Sequence, residues 1–313
     1  NINLKNLELA LKLCEEENLK ENQYLINNFK GVIFYLQNKF ELAEKFFKES
    51  HKLNLKFEDP LKNLYIILIK KKKYIEAINI SQKLCNLNNV NDLFVYQLAY
   101  AYELNNDNLL AIENYENCKN LNGKNKIKAL NNIGNIYLKS NKPKTSLKYF
   151  LEANETAKDD KVITNNILLN YIKLKNKNKS DEYFEISKRL DDKYIEFIYN
   201  KAQYYIFKEK FDDAIELLKN HKDKPKFLII LIELYFNMGN FKQGELLINN
   251  IRDEIKKDKN FFNYIGIRSL REGNFEDGWK FYESRGSKTT SYLKEIKEWN
   301  GENLENKSIV VFY

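Results

Sequence analysis

Five side-chain amides recur at near-constant spacing: Asn63, Gln97, Asn132, Asn166 and Asn200 lie 34, 35, 34 and 34 residues apart. An amide carries donors and an acceptor, so a row of them can pair with the N–H and C=O groups of an extended peptide without demanding particular side chains. Tyr96, Tyr100, Glu103, Asn131, Asn135, Tyr199 and Gln203 surround the same positions and add the aromatic and amide surface that suits a polypeptide. Together these residues form the candidate peptide-binding groove.

Catalysis has no comparable footing. His51 and His221 stand far apart, and neither has a cysteine or carboxylate at metal-ligand spacing. No phosphate loop, nucleophile elbow or HExxH pattern occurs. The doublet Asp212 and Asp213 reads as the first turn of a helix, where the macrodipole favours carboxylates. The expectation is no catalytic residue, no metal and no cofactor.

Composition narrows the partner. A net charge of +8 raises nucleic acid as a partner, but the lysine runs at 70–73 and 173–179 have no aromatic residues interleaved as stacking platforms. They read as solvated turns, and nucleic acid is disfavoured. The longest apolar stretch, Phe227 to Phe236, is interrupted by Glu233 and far short of a membrane span. Cys14, Cys85 and Cys118, widely spaced and odd in number, fit reduced core thiols, and the expected compartment is the cytoplasm. The expected partner is a protein or peptide, a second copy of the chain among them.

The amides recur because the whole chain recurs. A small residue opens the second helix of each unit at Ala43, Ala77, Ala111, Ser146, Ser180, Ala214, Gly244 and Gly278, spaced 34, 34, 35, 34, 34, 30 and 34 residues apart. Twelve residues earlier stand Gly31, Ala99, Gly134, Ala202 and Gly266, with Tyr65, Leu168 and Ile232 departing. Nine residues earlier the column is Phe34, Tyr102, Tyr137, Tyr171, Tyr205 and Tyr235, with Leu68 and Ser269 departing. Four residues after the anchor come Phe47, Tyr115, Phe150, Phe184 and Tyr282.

This period and pattern resemble the tetratricopeptide repeat. The resemblance implies an all-α superhelix, a right-handed solenoid of helical hairpins in which each unit closes the core of the one before it. The amide column, fourteen residues before the anchors, would lie on the first helix and the concave side; Phe29, Ile230 and Tyr264 hold the same place in the other units. There it resembles the asparagine ladder inside the repeat domain of O-linked N-acetylglucosamine transferase. Pro60 and Pro225 are expected at the start of first helices, and Pro143 in the turn between two helices.

The expected organisation is a partial unit over residues 1–18 with Ala10 as anchor, about eight units over 19–286, and a linker and strand over 287–313. The chain opens on Asn1, and the half-unit there suggests a trimmed N-terminus, before which a cleaved signal peptide is an open alternative. GNFEDGWKFYESR, then WNGENLENKSIVVFY, resembles the junction of bacterial repeat proteins that carry a heptosyltransferase-related glycosyltransferase domain. Gly278, Trp279, Tyr282, Glu283 and Arg285 carry the first part; Trp299, Gly301, Glu302, Leu304, Lys307, Ile309 and Val311 carry the second. By that resemblance Lys307 to Phe312 would be the first strand of a Rossmann-like domain. The reading is a protein-interaction scaffold that is not itself an enzyme, with a docking or oligomerisation module of a glycosyltransferase as the alternative.

Overall fold

A computed structural model of the chain describes residue 12 and residues 22–88, 91–121, 123–249, 265–266 and 268–283. The chain divides into two compact units, 1–209 and 210–313. Lys12 apart, the expected half-unit at 1–18 lies outside the described residues, as do the linker and strand of 287–313. Among the described residues every regular element is a helix, and none is a strand.

Among the described residues the first unit holds eleven helices: α1 (Gln23–Leu36), α2 (Phe40–Leu53), α3 (Asp59–Lys70), α4 (Tyr74–Leu87), α5 (Asp92–Leu104), α6 (Asn108–Asn120), α7 (Lys126–Lys139), α8 (Pro143–Thr156), α9 (Lys161–Lys173), α10 (Lys177–Leu190) and α11 (Ile195–Phe207). In this unit odd-numbered helices are the first and even-numbered helices the second members of hairpins, and each second helix packs on its own first helix and on the next one. The second unit contains α12 (Phe211–Lys219), α13 (Pro225–Asn237), α14 (Phe241–Asn249) and α15 (Phe275–Glu283). Pro143 is the first residue of α8, not a member of the turn before it. Its fixed φ suits the first helical position, where the absent N–H is no loss.

Close approach explains the small-residue columns. Ala43, Ala77, Ala111, Ser146, Ser180 and Ala214 are fully buried. Gly134 sits beneath Phe150, whose ring atoms an added Cβ would meet at 2.7 to 3.0 Å, and Gly31 sits beneath Phe47 in the same way. Where Tyr65 replaces the small residue, the aromatic position four after the anchor is Ser81, also fully buried. Large and small are exchanged in this hairpin, whereas in that of α9 and α10 both positions are large, Leu168 and Phe184.

The turn inside each hairpin reuses one backbone device. Asn38, Lys72, Asn106, Asn141, Lys175, Glu209, Gly239 and Gly273, each five residues before an anchor, have φ between 54° and 80°. In the turn of α1, Asn38 N–H donates to Tyr35 O at 2.9 Å and Lys39 N–H to Phe34 O at 2.9 Å. These paired bonds are a Schellman stop, and they satisfy carbonyls that the helix end leaves open.

Candidate functional site

The first helices of the first unit carry the amides, and their side chains bridge neighbouring first helices. Asn63 Nδ2 donates to Asn28 Oδ1 at 3.2 Å, joining α3 to α1. Asn166 Nδ2 donates to Asn131 Oδ1 at 2.9 Å, joining α9 to α7. Asn200 is buried, and its Nδ2 donates to the backbone carbonyl of Asn165 at 3.0 Å, joining α11 to α9. Each bond spans 35 residues, one more than the usual repeat, so the acceptor is the residue just before the amide column in the preceding unit.

Asn132 is the centre of a larger network. Its Nδ2 donates to the hydroxyls of Tyr96 at 3.1 Å and Tyr115 at 2.8 Å. Tyr115, fully buried, donates in turn to Glu103 Oε2 at 2.8 Å, and Lys139 Nζ lies 3.5 Å from Glu103 Oε1. Tyr96 stacks on Tyr100 with ring centroids 6.4 Å apart. Burial, and then the Glu103 carboxylate, push the Tyr115 hydroxyl far above its ordinary range; burial also raises Tyr96. Both phenols therefore stay neutral at physiological pH and act as hydrogen-bonding groups, not as acids.

Gln97 enters differently. Its backbone carbonyl accepts from the Tyr65 hydroxyl at 2.9 Å, and its Oε1 is buried without a partner. Asn135, Tyr199 and Gln203 are half-buried on α7 and α11. The structure thus gathers Tyr96, Tyr100, Glu103 and Asn132 into one network and Asn131 with Asn166 into a pair. Asn63 and Asn200 make separate bridges. Sequence reasoning missed Asn28, Tyr65, Tyr115, Lys139 and Asn165. The doublets Asn27–Asn28, Asn131–Asn132 and Asn165–Asn166 are the signal that could have found the bridging acceptors.

These bonds consume amide hydrogens. The side-chain carbonyl oxygens of Asn63, Asn132 and Asn166 take no hydrogen bond from the described residues, and they remain acceptors. Beside Asn63 a cavity of about 230 Å³ opens among Val32, Tyr35, Leu36, Phe47 and Ile66.

Several charged residues are paired within the fold. Lys71 pairs with Glu41 at 3.2 Å and Glu44 at 3.1 Å, Lys73 with Glu76 at 2.9 Å, and Lys179 with Glu182 at 2.7 Å. Lys62, Lys119 and Lys161 each lie over an aromatic ring as well as near a carboxylate. Among the described residues no group of three His, Cys, Asp or Glu side chains could hold a metal ion. His221 turns its Nδ1 to Leu217 O at 3.0 Å and stacks on Phe227. No described helix is long and apolar enough to cross a membrane.

The family model of the tetratricopeptide repeat matches residues 127–160, which cover α7 from its second residue and all of α8. The fold is that of a tetratricopeptide array. The chain is similar in structure to the MamA protein, with 16% identity, a TM-score of 0.50, and coverage of 55% of this chain and 94% of that one. It is similar to the Cut9–Hcn1 hetero-tetramer of the APC/C at 16% identity and a TM-score of 0.56, covering 74% of this chain and 46% of that one. Pseudomonas aeruginosa pilF matches at 10% identity and a TM-score of 0.54, covering 73% of this chain and 99% of that one. A search of curated protein sequences gave no match.

Proposed function

We propose that the chain is a protein-interaction scaffold that holds an extended polypeptide along the face built by its first helices. The observation that carries this reading is the set of amides Asn63, Asn132 and Asn166 on α3, α7 and α9, whose carbonyl oxygens are left as acceptors. Between them the Tyr96 and Tyr100 rings offer flat apolar surface with a polar tip, the chemistry that anchors peptides at low entropic cost. Because the amide hydrogens already lock neighbouring helices, the acceptors are preorganised, and little ordering is required when a peptide docks.

A scaffold of this kind binds without chemistry on its ligand. A docking role beside a glycosyltransferase domain has only the resemblance of residues 273–313 behind it. The test of the scaffold reading is the affinity of a fluorescent peptide, selected from a random display library on the intact chain. Asn135→Ala combined with Gln203→Ala removes two groove amides that are not part of the internal network. Affinity is expected to fall about five- to tenfold. An unchanged affinity would sink the placement of the ligand.

A further inference from the structure

We infer that the cavity beside Asn63 is the anchor pocket of the groove, and that it takes one large apolar side chain of an extended peptide with an acidic residue next to it. The inference rests on the peptide-binding reading above and names the chemistry of the ligand.

Three observations converge. The space, about 230 Å³, is lined by Val32, Tyr35, Leu36, Phe47 and Ile66, with Asn63 as its amide. It lies below the roughly 300 Å³ at which small-molecule pockets begin, and is of a size for a single Leu, Ile or Phe side chain. Its amide belongs to the bridging row: Asn63 Nδ2 is committed to Asn28, and its Oδ1 faces no donor among the described residues. A backbone N–H beside the inserted side chain supplies that donor, so a peptide satisfies wall and interior at once.

The third observation is charge. Lys70 Nζ lies 5.7 Å from the ring of Tyr35, which lines the cavity, and 4.3 Å from the ring of Phe40. Lys71, its neighbour, is paired with two carboxylates, whereas Lys70 has none within ion-pair distance among the described residues. A carboxylate on the ligand complements it.

The test pans a random dodecapeptide display library on the intact chain, then measures the affinity of a labelled hit by fluorescence polarisation. Leu36 and Ile66 are 39% and 47% exposed, so Leu36→Ser and Ile66→Lys leave the fold standing, which a thermal melt checks. The expected hits carry Leu, Ile or Phe beside Asp or Glu. Ile66→Lys is expected to weaken binding about tenfold or more, and Leu36→Ser somewhat less. Lys70→Glu weakens the acidic peptide and is rescued by a peptide with Lys in place of the acid. Hits indifferent to both pocket substitutions would overturn the pocket and leave the scaffold reading intact. A library that yields no binder overturns both. A monomer–dimer equilibrium abolished by Ile66→Lys in sedimentation velocity would make a second copy the occupant, and would also overturn the inference.

Discussion

Asn200 donates its side-chain N–H to the backbone carbonyl of Asn165, 35 residues earlier and 3.0 Å away, with both residues buried. The bond ties α11 to α9 directly. The Asn165 carbonyl keeps its own intrahelical bond, so Asn200→Ala loses one buried interhelical hydrogen bond and is expected to destabilise the first unit by about 0.5–1.5 kcal/mol. Urea denaturation followed by circular dichroism measures this. Asn63→Ala, at a half-buried bridge, is expected to cost less.

The glycine under Phe150 makes a second prediction. A Cβ at Gly134 would lie 2.7 Å from Phe150 Cε1, within a fully buried contact. Gly134→Ala should destabilise by about 1–3 kcal/mol, despite the better helix propensity of alanine, because overpacking outweighs it. Gly134→Ala with Phe150→Leu should recover part of the loss. Ser81→Phe should fail for the same reason, since Tyr65 already fills the other half of that hairpin.

Turn residues predict the opposite sign. Lys72 and Lys175 hold φ of 57° and 55° without the excuse of being glycine or asparagine. Lys72→Gly and Lys175→Gly should each stabilise by roughly 0.5–1 kcal/mol, the left-handed strain removed being larger than the added chain entropy. A raised midpoint at unchanged slope in urea is the expected readout.

Acid should loosen the contact between α10 and α11. The Tyr204 hydroxyl donates to Asp181 Oδ1 at 2.6 Å and Lys208 Nζ lies 3.0 Å away. The Tyr204 hydrogen bond and then Lys208 hold this carboxyl below the ordinary aspartate range. A lowered folded-state value means the contribution to stability is present above the unfolded aspartate value and is lost as pH falls through the folded one. The stability difference between wild type and Asp181→Asn should therefore shrink between neutral pH and acid, and only modestly, because the pair is well exposed to water.

The period was legible because packing imposes it: in most hairpins the anchor is flanked by aromatic residues four and nine positions away, so the spacing is written in residue types. The amide column was legible as a column. What it does inside the fold was not, since its partners lie in the preceding unit at an offset set by how one helix slides past the next. Asn63 reaches Asn28, and Asn166 reaches Asn131, both one position outside the column. The left-handed turn position holds Asn or Gly at Asn38, Asn106, Asn141, Gly239 and Gly273, but Lys72, Lys175 and Glu209 keep its geometry without its composition, which hides the column from sequence. The departure at Tyr65 gained a meaning only when Ser81 was seen to balance it.

A polypeptide running along the first helices leaves a footprint on them. A display-selected peptide bearing a central benzophenone, bound to the intact chain and irradiated, maps its own contacts by mass spectrometry. The expected result is adducts on α3, α5, α7 and α9, competed away by unlabelled peptide. Adducts confined to α2, α4, α6 and α8 would contradict it.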